Sequence, residues 1–136
     1  MDLSNARSFL EENHRAVLVT RRLDGGLQTS PVLVALDSNG RAVISSRETA
    51  YKTKNLKRDP RATLCVLGDR FFDGWIQLDG RTEVISLPDA MDGLVDYFRR
   101  ISGEHPNWAE YRAGMEKEHR VLLRIEIDHA GPDVSG

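Results

Sequence analysis

Four histidines, His14, His105, His119 and His129, are scattered along the chain, with no His-x-x-x-His pair and no cysteine to partner them. A zinc site needs three or four such ligands brought together, so the pattern argues against one. The single cysteine, Cys65, lies among Ala62, Leu64, Val66 and Leu67. A thiol in such surroundings is far more often an inert core residue than a nucleophile. No Gly-x-Ser-x-Gly is present, so the strained turn that exposes a nucleophilic serine is missing. Asp89, Asp92 and Asp96 recur at helical spacing and read as a solvated face. Walker and dinucleotide glycine patterns are absent, and Asp24-Gly25-Gly26 is a hairpin turn. These residues offer no self-contained catalytic group. Either the chain is not an enzyme, or a bound cofactor carries the reactivity.

The informative feature is charge. Between Arg47 and Arg61 stand Arg47, Lys52, Lys54, Lys57, Arg58 and Arg61 against Glu48 and Asp59 alone, a net +4, while the rest of the chain carries −6. A local basic cluster on an acidic chain fits a bound anion better than a long polyanion; the other reading is a solvated helix face. Ile44-Ser45-Ser46 ends a strand just before it, and Lys52-x-Lys54-Asn55-x-Lys57-Arg58 follows on a helix. Hydroxyls, free N–H groups at a helix start and lysines together suit a phosphate.

Hydrophobic periodicity sets the elements that must position this segment. Residues 3–14 read as a short helix with Leu3, Ala6, Phe9 and Leu10 on one face. Strands are predicted at 15–22, 27–36 and 41–46, with turns at residues 24–26 and 37–40. Pro31 marks the second strand as an edge or a bulge, since proline cannot donate to a ladder. A helix is predicted over 49–59, with Thr49 as its N-cap and Pro60 as its stop. A strand over 61–67, a loop over 68–74, and a long strand or strand pair over 75–87 around Asp79-Gly80 come next. Ser86-x-x-Asp89 resembles a capping box for a helix to about Ser102, closed by Gly103. A short helix over 107–117 and a strand over 120–128 complete the chain, and residues 131–136 read as frayed. Hairpin-linked strands dominate and βαβ alternation is absent. This is a mainly β chain, read as a small antiparallel barrel with peripheral helices.

A chain of 136 residues makes one domain spanning 1–136. The pI of about 6.1 argues against a nucleic-acid partner. No apolar run reaches the ~20 residues that span a bilayer, and the first residues do not form a signal peptide. The expectation is a soluble cytoplasmic protein with no membrane partner.

The segment from Ile44 to Ala62 resembles the cofactor segment of the flavin-binding split β-barrel proteins, the pyridoxamine 5′-phosphate oxidase-like superfamily. Ile101-Ser102-Gly103-Glu104-His105-Pro106-Asn107-Trp108-Ala109-Glu110-Tyr111-Arg112, with Met115 and Arg120-Val121-Leu122-Leu123, is similar to the branch that uses the deazaflavin coenzyme F420. The first motif is moderately specific for the superfamily; the second selects the branch. The likeness runs from the strand at Arg15 to the strand at Asp128. It implies a six-stranded antiparallel split barrel that forms a homodimer, with two cofactor sites between the subunits. It places Lys52 at the cofactor phosphate with Ser46, Tyr51 and Asn55 nearby, and Ser30, Pro31 and Val32 beside the ring. Strand alternation sets Ile76 and Leu78 on one face and Trp75 and Gln77 on the other; the resemblance implies that the first pair fills the barrel and the second points toward the partner subunit and its cofactor. Trp75 reads equally well as an interface anchor without cofactor contact. Faces bearing Val32, Val34 and Trp75 are more apolar than a monomer needs.

The implied activity is hydride transfer between reduced deazaflavin and a small electron-poor acceptor: a tetrapyrrole, a quinone or an enone. The alternatives are an FMN-dependent oxidase or reductase of the same fold, and a non-catalytic flavin carrier. The chain departs from true pyridoxamine 5′-phosphate oxidases in lacking their arginine-bearing C-terminal segment, which counts against a vitamin B6 oxidase. Phe71-Phe72 before Asp73-Gly74-Trp75 is unusual, and packing under a loop is the commoner outcome for such a pair. No residue stands out as proton donor; solvent, Tyr51 or a cofactor group could serve.

Overall fold

The computed structural model describes residues 1–72 and 74–133. Asp73 of the expected loop and residues 134–136 of the expected frayed tail lie outside the described residues. The elements in chain order are α1 (Leu3–Glu12), β1 (Arg15–Arg21), β2 (Leu27–Leu33), β3 (Ala35–Leu36), β4 (Ala42–Arg47), α2 (Tyr51–Arg58), β5 (Arg61–Leu67), β6 (Trp75–Ser86), α3 (Met91–Ser102), α4 (Trp108–Lys117) and β7 (Arg120–Gly131).

All seven strands form one sheet in the order β2-β1-β5-β6-β7-β4-β3, and every pair is antiparallel. The count exceeds the expected six because the predicted strand over 27–36 breaks at Val34. The Val34 N–H still donates to the His14 carbonyl at 2.7 Å, the last bond toward β1, and from Ala35 the chain pairs with β4 instead. The two halves then sit on opposite edges of the sheet. One bent segment supplying both edges requires the sheet to curl. Pro31 lies in the edge half, opposite Val17, where a missing donor is tolerated.

Two-residue alternation divides the strands into faces. The inner faces carry Leu18, Ile44, Leu64, Val66, Ile76, Leu78, Leu123 and Ile125, all but closed to solvent, with Ala6 and Leu10 of α1 and Leu56 of α2 packed against them. Ile76 and Leu78 are thus interior, each contributing roughly 1.5–3 kcal/mol by burial. A second cluster joins Ala35, Val43 and Leu122 to Leu94 and Val95 of α3 and Tyr111 of α4. Val34, expected on an apolar outer face, is fully buried.

Three local expectations are corrected, and the open choice over residues 75–87 is settled as one strand. Thr49 does not cap α2: the N-cap is Ala50, with no side-chain bond. Thr53 instead ties the first turn down, donating from Oγ1 to the Arg47 carbonyl at 2.7 Å. Ser86 does not open α3, which starts at Met91. The β6–β7 ladder carries Ser86 opposite Val121, and its hydroxyl donates to Glu48 Oε2 at 3.1 Å. Residues 75–86 are one strand, with a register shift at Asp79/Gly80. A Cβ at Gly80 would lie 2.2 Å from the Glu126 carbonyl oxygen, so the bulge admits only glycine. Phe71 and Phe72 are 75% and 85% exposed and meet edge to face rather than packing under the loop.

Among the described residues, no helix is long and apolar enough to cross a membrane, and no group of His, Cys, Asp or Glu is placed to hold a metal ion.

Candidate functional site

Helix α2 is the centre of the site because its sides meet different neighbours. Its underside is buried through Thr53, Asn55 and Leu56. Thr53 spends its proton on the Arg47 carbonyl, so Ser46 donates to Thr53 Oγ1, at 2.8 Å. Ser46 is 1% exposed, and its hydroxyl fastens α2 to β4. Asn55 is likewise buried, donating from Nδ2 to Gln28 Oε1 at 2.9 Å and to Thr20 Oγ1 at 3.1 Å. That bond pair fixes the helix against β1 and β2.

Lys52 is half-buried on one flank. Burial lowers the pKa of its ammonium below the ordinary lysine range, and the charges of Arg120 and Arg47 lower it further. Those arginines face each other across the β4–β7 ladder. Both reach Glu118: Arg47 donates to it at 3.0 Å and Arg120 lies 3.4 Å away. Hydrogen bonds from Arg120 and Arg47 hold the Glu118 carboxyl below its usual range. One carboxylate thus serves two guanidinium groups, and Lys52 has no ion pair among the described residues. A half-buried cation repelled by two others is a place where an arriving anion is favoured. Lys57 of the same basic run pairs with Glu48.

The other flank opens on a cleft of about 490 Å³ lined by Arg22, Leu23, Gln28, Tyr51, Lys54, Asn55 and Arg58. Tyr51 is 76% exposed at its rim. Ser30 shares a strand face with Gln28, two residues along β2.

The remaining expected residues lie on the sheet. Strand alternation separates Pro31, on the outer face opposite Val17, from Ser30 and Val32, on the inner face opposite Leu18 and Ala16. Val32 packs against the core. Trp75 pairs with Leu67 and Gln77 with Cys65, in the same outer rows as Arg15 and Val17. Trp75 is half-buried, whereas Gln77 is exposed. The outer rows therefore bring Pro31, Trp75 and Gln77 onto one surface, with Leu27 and Leu33 exposed at its edge by 56% and 46%. A shallow hollow of about 390 Å³ lies there, between Val17, Pro31, Val32, Leu33 and Leu67.

The basic cluster includes Arg47 without assigning it a place in the site, and the sequence reading missed Arg120 as a site residue and Gln28 and Arg22 as cleft residues. No local signal marks these three. Arg120 comes beside Arg47 only through the β4–β7 register, and Gln28 reaches α2 only through Asn55.

A mainly β, curled antiparallel sheet with a cationic helix after β4 is the architecture of a split barrel. Residues 3–131 match the family described as Pyridoxamine 5′-phosphate oxidase, and the chain belongs to that family. Solved structures agree on the fold. A conserved hypothetical protein from Mycobacterium tuberculosis is 21% identical over 96% of this chain and 82% of its own, at a TM-score of 0.78. An F420 reductase is 20% identical over 92% of this chain and 94% of its own, at 0.71. A putative pyridoxamine 5′-phosphate oxidase from Listeria innocua is 12% identical over 95% of each chain, at 0.69.

Proposed function

We propose that the protein is a coenzyme F420-dependent oxidoreductase, acting as a homodimer on a small electron-poor acceptor such as a tetrapyrrole, a quinone or an enone. The carrying observation is Lys52: a half-buried cation beside Arg47 and Arg120, with no carboxylate partner among the described residues. An anionic phosphate group fits this set by charge and by donor type. Bound there, reduced deazaflavin supplies the hydride.

The chain's own residues bind, orient and exclude water. Lys52 holds the phosphate, and Arg47 and Arg120 add to its field. The first turn of α2 is locked to β4 by Ser46 and Thr53, so Lys52 is positioned by bonds that a ligand need not form. Pro31, Trp75 and Gln77 share the outer face of the sheet. Pairing of two such faces would bury the apolar rows and bring Trp75 and Gln77 toward the other subunit's cofactor. The F420 reductase fold match supports the cofactor choice by kinship of fold.

A phosphate site serves FMN as well, so FMN is the alternative cofactor. The experiment mixes purified protein with reduced F420 and a quinone or enone and follows deazaflavin reoxidation. Turnover above the protein-free rate is expected. Protein that purifies yellow with bound FMN, and leaves reduced F420 untouched, would replace this reading with the FMN enzyme.

A further inference from the structure

We propose that the cleft on the far flank of α2 is a second anion site, separate from Lys52, taking a small flat-ringed molecule with a carboxylate or phosphate group. At 100° per residue, Lys54 and Arg58 project about 200° and 240° around the helix from Lys52. A single phosphate cannot span both flanks.

The cleft presents donors and almost no acceptors. Lys54 has no ion pair among the described residues. Arg58 is held rigidly, donating to the Arg21 carbonyl at 2.7 Å and to Asn55 Oδ1 at 3.2 Å. Neither partner is charged, so its own charge remains uncompensated. Arg22 alone meets an acid, Asp24, at 3.2 Å in the hairpin. Gln28 Oε1 receives Asn55 Nδ2 at 2.9 Å. That turns the Gln28 amide donor end away, with no protein acceptor among the described residues. A fixed guanidinium, a free ammonium and an oriented amide converge on one space.

The apolar surface lies at the mouth. Tyr51 and Leu23 are 76% and 82% exposed at the rim. A concave site of about 490 Å³, with convergent polar groups inside and Tyr51 and Leu23 at its rim, has the size of a small-molecule pocket. The acid lies against Arg58, Lys54 and Gln28, and the ring lies on Tyr51. The acid group could belong to a free metabolite or to a carboxylate extension of a cofactor held at Lys52.

The test uses the intact protein, benzoate as probe and benzamide as its neutral counterpart. The readouts are NMR signals of the Gln28 and Asn55 side-chain amides and Arg58 Nε. Benzoate is expected to shift these saturably, and benzamide is expected not to. Lys54→Gln, which breaks no recorded contact, should weaken benzoate about two- to five-fold without changing the melting temperature. Lys52→Met should leave benzoate binding unchanged. Competition by complete F420, but not by a form lacking its carboxylate tail, would assign the site to the cofactor's own carboxylates. No competition would assign it to a free anion. Shifts absent at Gln28 and Arg58, or equal response to benzamide, would overturn the proposal. Loss of binding in Lys52→Met but not in Lys54→Gln would do the same. The benzoate measurement needs no cofactor, so it stands even if F420 does not bind.

Discussion

Lys52 is held in a state that opposes its own charge, since burial and two arginines both lower its pKa. A lysine whose pKa is lower in the folded chain binds protons more weakly there than when unfolded. It therefore works against the fold at neutral pH, and the effect is relieved only as pH rises toward the unfolded lysine value. Lys52→Met is accordingly expected to leave the stability unchanged or raise it slightly, by about 0.5 kcal/mol or less; thermal unfolding without ligand checks this. A clear destabilisation would mean that the lysine is a structural group. Tyr111 works in the opposite sense. Burial pushes its phenol up to about 12, and its hydroxyl donates to the Leu94 carbonyl at 2.8 Å. The folded chain keeps this proton more tightly than the unfolded one, so the stability it contributes is complete below about pH 10 and is lost between about 10 and 12. Tyr111→Phe should lower stability by about 1 kcal/mol at neutral pH. It should also flatten the alkaline fall in urea-unfolding free energy. An unchanged alkaline slope would contradict the assignment.

Helix α2 and the β6–β7 ladder show which elements could be read from sequence and which could not. The alternation Trp75-Ile76-Gln77-Leu78 placed Ile76 and Leu78 inside correctly, because a strand with one buried face has a period of two. The basic run placed Lys52, Asn55 and Tyr51 on one helix, but composition is blind to which flank each takes. The break at Val34 was illegible, since it depends on the two halves pairing with different strands, β1 and β4. Ser86 was misread because a local capping pattern lost to a long-range ladder. The bulge at Gly80 gives a sharp element-level prediction. Gly80→Ala must push against the Glu126 backbone and should destabilise by about 2–3 kcal/mol. Gly114→Ala in α4, where a Cβ meets nothing within 4 Å, should stabilise by about 0.5–1 kcal/mol. Paired denaturation curves decide it, and equal effects would contradict the bulge.

At the scale of the whole molecule, the proposed homodimer would pair through the outer face of β2, β1, β5 and β6. Leu33 and Leu27 stand exposed along its edge. Leu33→Glu should leave the monomer folded and shift sedimentation at micromolar concentration from dimer to monomer. A wild-type chain already monomeric there would remove the basis for a site shared between subunits. The central claim is that α2 holds the phosphate of a deazaflavin through Lys52. Its most direct test is an equilibrium titration of wild type, Lys52→Met and Lys57→Met with F420 and with FMN, read by cofactor fluorescence. The account predicts that wild type takes F420 more tightly than FMN. It predicts that Lys52→Met loses about 10- to 150-fold of F420 affinity, and that Lys57→Met, whose lysine already pairs with Glu48, loses clearly less. Wild-type affinity in Lys52→Met, or loss in Lys57→Met alone, would contradict it.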